Sequence, residues 1–424
     1  MNFEAKIIAL ENDSSKNANR STRSPFKNYI CELVLILILI LFLCVISGLS
    51  CIGSNSMDFS FKNKYYHYSN DRGNNTNDKS VVENSVPLNL KIQSWNLRYD
   101  SLSDGKSIEE SILEMNETIP NDDEIEYYSE YEEVSWSIRR FGIANSVKMN
   151  NIDFFTVNEA LVRQVTDLEV LLDMNWIGVG RDDGGEKGEF QAIFYNEDKF
   201  KLLHNSTFWL STAPFIPSKF HDAGSIRSTT VATFKDLESG KKFTVLNTHL
   251  DDQSDDQRKL GAALLKYRAS YELQQPGISA VLLLGDFNSQ SSGKSSAAYN
   301  IAIGNLKYDL SDQEIDVDFL KKYNSTMNGN FVFNDILKLS SVDKRMGNHA
   351  TFTGFEKDKS SFQRIDFQFI GGFKDVGENN ENTDSNSSID KFVTVDSFYV
   401  GENWYDDSYY LSDHRPVVSE LTFK

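Results

Sequence analysis

Short stretches in which apolar and polar residues alternate recur along this chain, and each predicts a β-strand. The first is "LNLKIQSWNL" (88–97), where Leu88, Leu90 and Ile92 alternate with polar residues. Other strands are predicted at "IDFFTVNE" (152–159), "EFQAIFYN" (189–196), "KLLHNSTFWLS" (201–211), "AVLLLGDFN" (280–288), "RIDFQFI" (364–370) and "PVVSELTF" (416–423). Residues 229–250 predict a hairpin that turns at "ESGK" (238–241).

Helical periodicity follows some of these strands. Apolar residues recur at helical spacing in "ALVRQVTDLEVLL" (160–172), and residues 255–275 are amphipathic with an acidic first turn. Strands and helices therefore mix along the chain, and some strands form antiparallel hairpins. This order predicts a layered α/β sandwich rather than a strictly alternating, doubly wound sheet.

The N-terminal part has a different pattern. An apolar run extends from Leu33 to Ile52, and about 20 such residues cross a hydrocarbon core of about 30 Å as a helix. We expect a polar cytosolic tail (1–28), a transmembrane signal-anchor (29–52), a stalk (53–86) and a large domain (87–424). Small residues after the run leave a cleaved signal peptide as the alternative, but the long polar leader favours the anchor.

Basic residues lie mainly on the N-terminal side of the apolar run, which places the tail in the cytosol by the positive-inside rule. We therefore expect a single-pass, type II membrane protein with a lumenal or extracellular domain, or a secreted protein if the run is cleaved. Glycosylation sequons agree with that orientation, and they begin at Asn116, Asn205, Asn324 and Asn386.

Charge and cysteine content limit the chemistry of the large domain. With 43 basic and 62 acidic residues the formal charge is −19, and an acidic surface repels polyanions. We therefore expect no stable nucleic-acid complex, although metal ions can reverse the field where a phosphate binds. Cys31, Cys44 and Cys51 are the only cysteines, which excludes a cysteine site further along. Two polar segments, 101–133 and 373–391, predict a solvated and a flexible loop.

Polar side chains fall at the ends of several predicted strands, where a sheet can hold them around one cleft. These residues are Asn96, Glu159, His249, Asp286, Asn288, Asp413 and His414, with Asp366 inside the strand 364–370. Each alone has a plainer explanation, such as a turn at "GDFN" or a favourable charge at a helix N-terminus for Glu159. Their combination in one domain indicates an active site.

The residue types define the chemistry of that site. Oxygen ligands without cysteine suit a hard cation, Mg²⁺ or Mn²⁺. Asparagine amides and a histidine can bind phosphate oxygens and stabilise charge in the transition state. A histidine oriented by a carboxylate can take the proton of an attacking water. The set therefore predicts metal-assisted hydrolysis of a phosphate ester.

A series of motifs occurs in the order "WNLRYD", "NEALVRQ", "GVGRDDG", "GEFQAIFY", "NTHLDD", "GDFNS", "TFTGF", "RIDFQFI" and "SDHRPV". This series resembles the endonuclease/exonuclease/phosphatase superfamily over residues 88–424. The "GVGRDDG…GEF" stretch is similar to the branch near deadenylases. The resemblance implies a four-layered α/β sandwich, with two central mixed β-sheets flanked by helices and the site at one end, here preceded by the transmembrane helix.

The resemblance also implies roles for the candidate residues. Glu159 would be the principal Mg²⁺ ligand, with Asn96 and Asp413 close to the metal. Asp286 and Asn288 would contact the phosphate and the attacking water, and His249 would stabilise the pentavalent phosphorus. His414, held by Asp366, would be the general base, although Asp286 is the alternative. In one departure from the family pattern, Asn158 replaces the usual Gln before the metal-binding Glu.

Several polar residues match no catalytic motif position. We expect the histidines outside the candidate set, His67, His204, His221 and His349, to be structural or on the surface. Arg181, Asp182 and Asp183 lie in a family-like motif without an assigned role beyond a loop at the cleft. Arg227, in "SIRSTT", could reach a substrate phosphate, but we expect it to be a strand-surface arginine.

Three functions follow as hypotheses. The first is a phosphoesterase acting on a phosphorylated small molecule or a lipid headgroup. The second is a nuclease acting on an oligonucleotide, as in 3′–5′ RNA exonucleases, but the chain lacks a dense basic stripe and repeated aromatic platforms. The third is a catalytically inactive domain kept for binding, against which the intact candidate set argues.

Overall fold

The computed structural model describes residues 86–117, 132–325, 328–356, 358–373, 389–405 and 409–424. The predicted tail, signal-anchor and stalk therefore lie outside the described residues, apart from Val86. In the described ranges, no helix is both long enough and apolar enough to cross a membrane.

A described strand occurs wherever alternating or apolar runs predicted one, and six further strands, one of them eight residues long, were not predicted. The described strands are β1 (Leu88–Asn96), β2 (Phe154–Ala160), β3 (Asn175–Ile177), β4 (Phe190–Tyr195), β5 (Phe200–Trp209), β6 (Ser228–Asp236), β7 (Lys242–His249), β8 (Ile278–Asp286), β9 (Phe331–Asp335), β10 (Arg345–Gly347), β11 (Asp366–Phe373), β12 (Val393–Val400), β13 (Trp404–Tyr405), β14 (Tyr409–Tyr410) and β15 (Val417–Phe423). The α-helices are α1 (Ile108–Glu117), α2 (Trp136–Met149), α3 (Val162–Leu172), α4 (Asp255–Leu273), α5 (Ala297–Ala302), α6 (Val317–Lys322) and α7 (Ile336–Leu339).

Two mixed sheets form the centre of the fold. Within the described residues, one has the strand order β10-β12-β15-β1-β2-β4-β3 and the other β5-β6-β7-β8-β11-β9. Each sheet contains a central parallel pair, β1 with β2 and β7 with β8. The carboxyl ends of a parallel pair lie at the same edge of the sheet, so each pair brings two strand-end side chains together.

Three hydrophobic clusters fill the spaces between the layers. Between the sheets, buried side chains such as Ile92, Phe154 and Leu282 pack together, and the rings of Phe154 and Phe243 meet edge to face at 5.4 Å. Helices α2 and α3 cover the first sheet, while α4, α5 and α6 cover the second. The predicted sandwich of two mixed sheets flanked by helices is confirmed.

The acidic segment 101–133 differs from the predicted solvated loop. It contains α1, and Ser111 within it is buried. Arg140 of α2 is fully buried and donates to Ser111 Oγ at 2.7 Å and to Ser107 O. A buried guanidinium requires acceptors, and this segment supplies them; residues 118–131 lie outside the described residues. In the second predicted loop, 374–388 lie outside as well, and Ile389–Lys391 form a 3₁₀ turn.

Candidate active site

The two parallel strand pairs place the predicted polar residues at one end of the sandwich. Asn96 ends β1 and is in register with Asn158 of β2, which precedes Glu159. In the other sheet, His249 ends β7 in register with Asp286 at the end of β8. Both sheets therefore contribute to the same cleft.

Asp366 is the first residue of β11 and not an interior strand residue as predicted. It is in register with Asp286 on the antiparallel neighbour β8. At the start of this strand, the backbone N–H groups of Ile365 and Asp366 donate to Thr351 Oγ1 at 3.1 and 3.0 Å, while Ile365 O accepts from Phe287 N at 2.9 Å. Asp366 is thereby placed at the same strand-end layer as the other site residues.

The Asn96 side chain joins carboxylates from the two sheets. Its Nδ2 donates to Glu159 Oε1 at 2.9 Å and to Asp286 Oδ2 at 3.0 Å. Its Oδ1 accepts from the backbone N–H of Arg98 at 3.0 Å, which fixes the orientation of the amide. Because Asn96 is 1% exposed, these hydrogen bonds are shielded from competing water. The arrangement holds Glu159 and Asp286 beside each other.

Asn158, at the position where the family resemblance leads one to expect Gln, also links the sheets. Its Nδ2 donates to Thr248 O at 3.1 Å, and its Oδ1 accepts from the backbone N–H of Asp286 at 3.2 Å. The shorter side chain thus still connects β2 to β7 and β8. The following residue, Glu159, has a φ of +60°, a left-handed conformation that costs a non-glycine residue about 1–3 kcal/mol. This strained backbone presents the Glu159 carboxylate to the cleft.

Asp366, His414 and Asp286 form a chain of acid–base groups. His414 Nδ1 lies 2.9 Å from Asp366 Oδ2, and His414 Nε2 lies 3.7 Å from Asp286 Oδ2. The main chain of His414 is fixed as well, because Trp95 Nε1 donates to its carbonyl at 2.8 Å. We call Asp366, His414 and Asp286 the relay.

Burial and charge act in opposite directions on the relay. Burial alone would lower the pKa of His414, but Asp366 and Asp286 raise it well above its usual value. Burial and the neighbouring Asp366 raise the pKa of Asp286 to about 7. The relay therefore contains both a proton donor and a proton acceptor. Because its three side chains interact closely, their apparent pKa values describe the set and not one residue.

His249 and Asn288 form a second hydrogen-bonded pair beside Asp286. Asn288 has a φ of +44°, and its backbone N–H donates to Asp286 Oδ1 at 2.8 Å. Its Nδ2 donates to Leu250 O and lies 3.1 Å from His249 Nε2. His249 Nε2 also lies 3.6 Å from Asp286 Oδ2, and His249 Nδ1 faces Glu189 Oε2 at 3.8 Å. Burial, followed by the charges of Arg227 and Arg181, lowers the pKa of His249, so its ring is neutral.

Asp413 completes the predicted set. It lies in the cleft with Arg98 and Glu159, and its backbone carbonyl accepts from Thr353 N at 2.9 Å. Burial raises the pKa of Asp413 above its ordinary value. The structure thus gathers every predicted site residue around one cleft.

Comparison with known proteins bears on this architecture. No protein-family model and no curated protein sequence matches the chain. An endonuclease/exonuclease/phosphatase of Bacteroides vulgatus superposes with a TM-score of 0.56 at 24% identity, over 80% of this chain and 100% of that chain. A family protein of Bacteroides thetaiotaomicron gives 0.54 at 24% identity, over 80% and 99%. The mannosyl-6-phosphatase of the same organism gives 0.53 at 25% identity, over 79% and 100%.

This chain has the fold of the endonuclease/exonuclease/phosphatase proteins. The fold implied by the motif series is confirmed. The deadenylase-like branch stays a prediction.

The cleft in this endonuclease/exonuclease/phosphatase fold has a volume of about 510 Å³. Sequence reasoning missed several residues that line it, although most lie in motifs quoted above: Arg98, Tyr99, Glu189, Ser225, Arg258, Phe352 and Gln363. Phe352, from "TFTGF", packs edge to face on His414 with ring centroids 5.0 Å apart. The quoted motifs were the sequence signal for these residues, but the spacing of a motif does not show which of its side chains face the cleft.

The donor set fits a hard cation. Glu159, Asp286 and Asp413 bring three carboxylates to the cleft, while Arg98 is paired with Glu133 at 3.2 Å. Burial is the largest cause that raises the pKa of Asp286 and Asp413, and Asp366 and Glu159 add to it respectively, so a cation in the cleft would favour the charged form of both carboxylates. The ligand-type atoms of Asp286, Asp366 and His414 also lie within 4.8 Å of one another. Oxygen-rich sites of this kind suit Mg²⁺ or Mn²⁺.

Arg227 corrects a sequence prediction. It is 5% exposed rather than on the strand surface, and it donates to Asp251 at 3.1 Å and to Asp252 at 2.7 Å. A buried arginine needs such carboxylates, and the "HLDD" segment after β7 provides them. Among the other histidines, His204, His221 and His349 are exposed as expected, and His67 lies outside the described residues.

Proposed function

We propose that this protein is a metal-dependent phosphoesterase that hydrolyses a phosphate ester by in-line attack of water. The observation that carries the proposal is the Asn96 side chain, which joins Glu159 and Asp286 from different sheets at 2.9 and 3.0 Å beside the relay. A purely structural amide has no need to hold two carboxylates together at a solvent-filled cleft. A phosphoesterase needs such a cluster to bind a cation next to its acid–base groups.

In this proposal Glu159 and Asp413 would hold the cation, with Asn96 Oδ1 as a further oxygen close to it. When bound, Mg²⁺ or Mn²⁺ supplies positive charge that polarises the phosphate oxygens. The cluster of Asp286, Asp366 and His414 is a less suitable ligand set, because His414 Nδ1 and Asp366 Oδ2 already bond to each other at 2.9 Å. We therefore assign that cluster to proton transfer.

The protein groups then divide the remaining chemistry. The proton of the attacking water passes to Asp286 Oδ2, because the raised pKa of His414 keeps that ring protonated, and Asp366 fixes the ring of His414 beside Asp286. Asn288 Nδ2 and the neutral His249 lie next to Asp286, where they bind phosphate oxygens and stabilise the charge that develops on them.

A phosphorylated small molecule or lipid headgroup is the substrate class that we favour. The acidic surface opposes polyanion binding, and the mannosyl-6-phosphatase with the same fold is named for a sugar phosphate. Oligonucleotides belong in the same test, because the hydrolytic chemistry does not distinguish them.

The metal and the activity are tested together with the full-length chain in detergent. We expect wild-type protein to release product from one member of a panel of RNA, DNA, nucleotides, inositol phosphates, sugar phosphates and lipid headgroups, with Mg²⁺ or Mn²⁺ and not with EDTA. A Glu159→Gln variant should lose about 10²–10⁴-fold in turnover, and Mg²⁺ should no longer raise its melting temperature.

The matched control is Glu238→Gln, which changes an exposed glutamate in the "ESGK" turn. It should keep both turnover and the Mg²⁺-dependent thermal shift. Turnover that persists in EDTA, or a Glu159→Gln protein as active as the control, contradicts the proposal. A wild type inactive on the whole panel and without a metal-dependent shift favours the binding-domain hypothesis.

We further propose that the enzyme is a type II, single-pass membrane protein with this domain lumenal or extracellular. The apolar run 33–52 supports the anchor, and the sequon residues Asn205 and Asn324 are exposed. The protein should resist carbonate extraction, and endoglycosidase should increase its electrophoretic mobility. Asn205→Gln with Asn324→Gln should reduce that mobility change, whereas an easily extracted, unshifted protein contradicts the topology.

A further inference from the structure

Three arginines from separate segments of the chain line the cleft. Arg181 comes from the "GRDDG" loop, Arg227 from the segment before β6, and Arg258 from the first turn of α4. All three are mostly buried, with 8%, 5% and 7% of their surface exposed. We call them the arginine wall.

The arginine wall has hydrogen-bond donors that the described part of the protein does not use. Arg181 donates from Nη1 to Glu189 at 2.6 Å, while its buried Nε has no hydrogen-bond partner there and lies 4.0 Å from Asp182 Oδ1. Arg258 donates to Asp251 O at 2.9 Å and to Asp255 at 3.3 Å, and its buried Nε likewise has no partner. Buried polar groups without partners are uncommon in proteins, so each needs an explanation.

An unused N–H group does not by itself identify a site. Arg268, on the same helix as Arg258, also has a buried nitrogen without a partner among the described residues. It does not line the cleft, however, and its Nε pairs with Glu272 at 2.7 Å. The arginine wall is distinguished because its members line one cleft with Ser225 and Asn288, beside the groups assigned to the reacting phosphate.

Each arginine of the wall is paired with one or more carboxylates, so an anionic ligand would have to replace one of these carboxylates. Arg181 and Arg227 both lower the pKa of His249, after the effect of burial, so they place positive potential next to the catalytic histidine. The carboxylate of Asp252, which pairs with Arg227 at 2.7 Å, has 52% of its side chain exposed. Such a carboxylate can move into water when another anion takes its place.

We propose that the arginine wall is a second anion subsite, so that the substrate is a compact phosphate ester carrying a second phosphate or a carboxylate. The inference rests on the proposed function, because the scissile phosphate occupies the Glu159–Asp286 side. Planar guanidinium groups bind oxyanions through paired N–H donors. The subsite gives the "GRDDG" loop a role in substrate binding. The catalytic chemistry proposed above assigns no role to this loop.

Matched substrates test the subsite by kinetics. With the wild type, kcat/KM should be about tenfold higher for fructose 1,6-bisphosphate than for fructose 6-phosphate, or for 3-phosphoglycerate than for glycerol 3-phosphate. The first pair reports a second phosphate and the second pair a carboxylate. Arg181→Gln and Arg258→Gln should remove most of this preference, and Arg181→Lys, which keeps charge but loses the planar donors, should remove part of it.

Arg268→Gln is the matched control, since it removes a similarly buried guanidinium from the same helix outside the cleft. Its preference for the doubly charged substrate should equal that of the wild type. A wild type that hydrolyses both members of each pair equally well, or a preference lost equally in the control, overturns the subsite.

Calorimetric titration with pyrophosphate in EDTA gives a readout that needs no turnover. The wild type and Arg268→Gln should bind, and Arg181→Gln and Arg258→Gln should bind about tenfold more weakly, with thermal melts showing that each variant is folded. If the wild type hydrolyses nothing but binds in this arginine-dependent way, the proposed function fails and the subsite stands. If it hydrolyses phosphate esters without arginine-dependent binding or preference, only the subsite fails.

Discussion

His414→Ala is expected to lower turnover by about 10²–10⁴-fold, the usual contribution of a positioned acid–base group. His414 Nδ1 bonds to Asp366 and its Nε2 faces Asp286 at 3.7 Å, so alanine interrupts the relay at its centre. The measurement is kcat on the substrate that the panel identifies, with saturating Mg²⁺. Asp366→Asn should also lower kcat, and the double variant should be little worse than His414→Ala, because both changes damage the same unit.

The control for this loss is His349→Ala, which removes an exposed histidine outside the residues that line the cleft. It should leave kcat within a factor of about two, since surface substitutions have small effects. If His414→Ala retained more than about a tenth of wild-type turnover, the relay would be a packing feature and not the acid–base group.

Arg139→Met should cost about 3–5 kcal/mol of folding free energy, the range found when one partner of a buried charge contact is removed. Arg139 is 0% exposed. Burial lowers its pKa to about 10, which leaves it charged at neutral pH. Its guanidinium donates to Leu97 O at 2.6 Å, Leu411 O at 2.8 Å and Val134 O at 3.0 Å. Methionine fills part of the volume and leaves these buried carbonyls without a donor.

Urea unfolding monitored by tryptophan fluorescence measures this cost. Lys148→Met is the matched control, because Lys148 is an exposed cation on the same helix. The control should change the free energy of unfolding by less than about 0.5 kcal/mol. An equally small change for Arg139→Met would show that water replaces the guanidinium at those carbonyls.

Much of the fold follows from local patterns, and the exceptions have a physical cause. The strand at 88–96 and the helix at 255–273 were predicted because their apolar residues follow the period of each element. Helix α2 was not predicted, since its buried face includes Ser137, Arg139 and Arg140. Charged residues at buried positions interrupt the apolar pattern by which an amphipathic helix is recognised in a sequence. Their burial is explained only by the other segments of the chain that accept their hydrogen bonds.

The candidate site could be predicted as a set of residues but not as a set of contacts. Asn96 and Asp286 were found because each follows an apolar strand, a feature visible in the sequence. Their hydrogen bond joins residues 190 positions apart and depends on how two sheets face each other. Arg227 was placed wrongly for the same reason, because its partner Asp251 lies 24 positions away on another segment.

The position of β15 affects how the protein is made. This strand pairs with β1 on one side and β12 on the other, so it lies inside its sheet. Trp95 of β1 donates from Nε1 to the carbonyl of His414, 319 positions away in the sequence. The segment after residue 411 must therefore leave the ribosome before the first sheet can form completely. A product that ends before this segment lacks both His414 and the strand that completes the hydrophobic core.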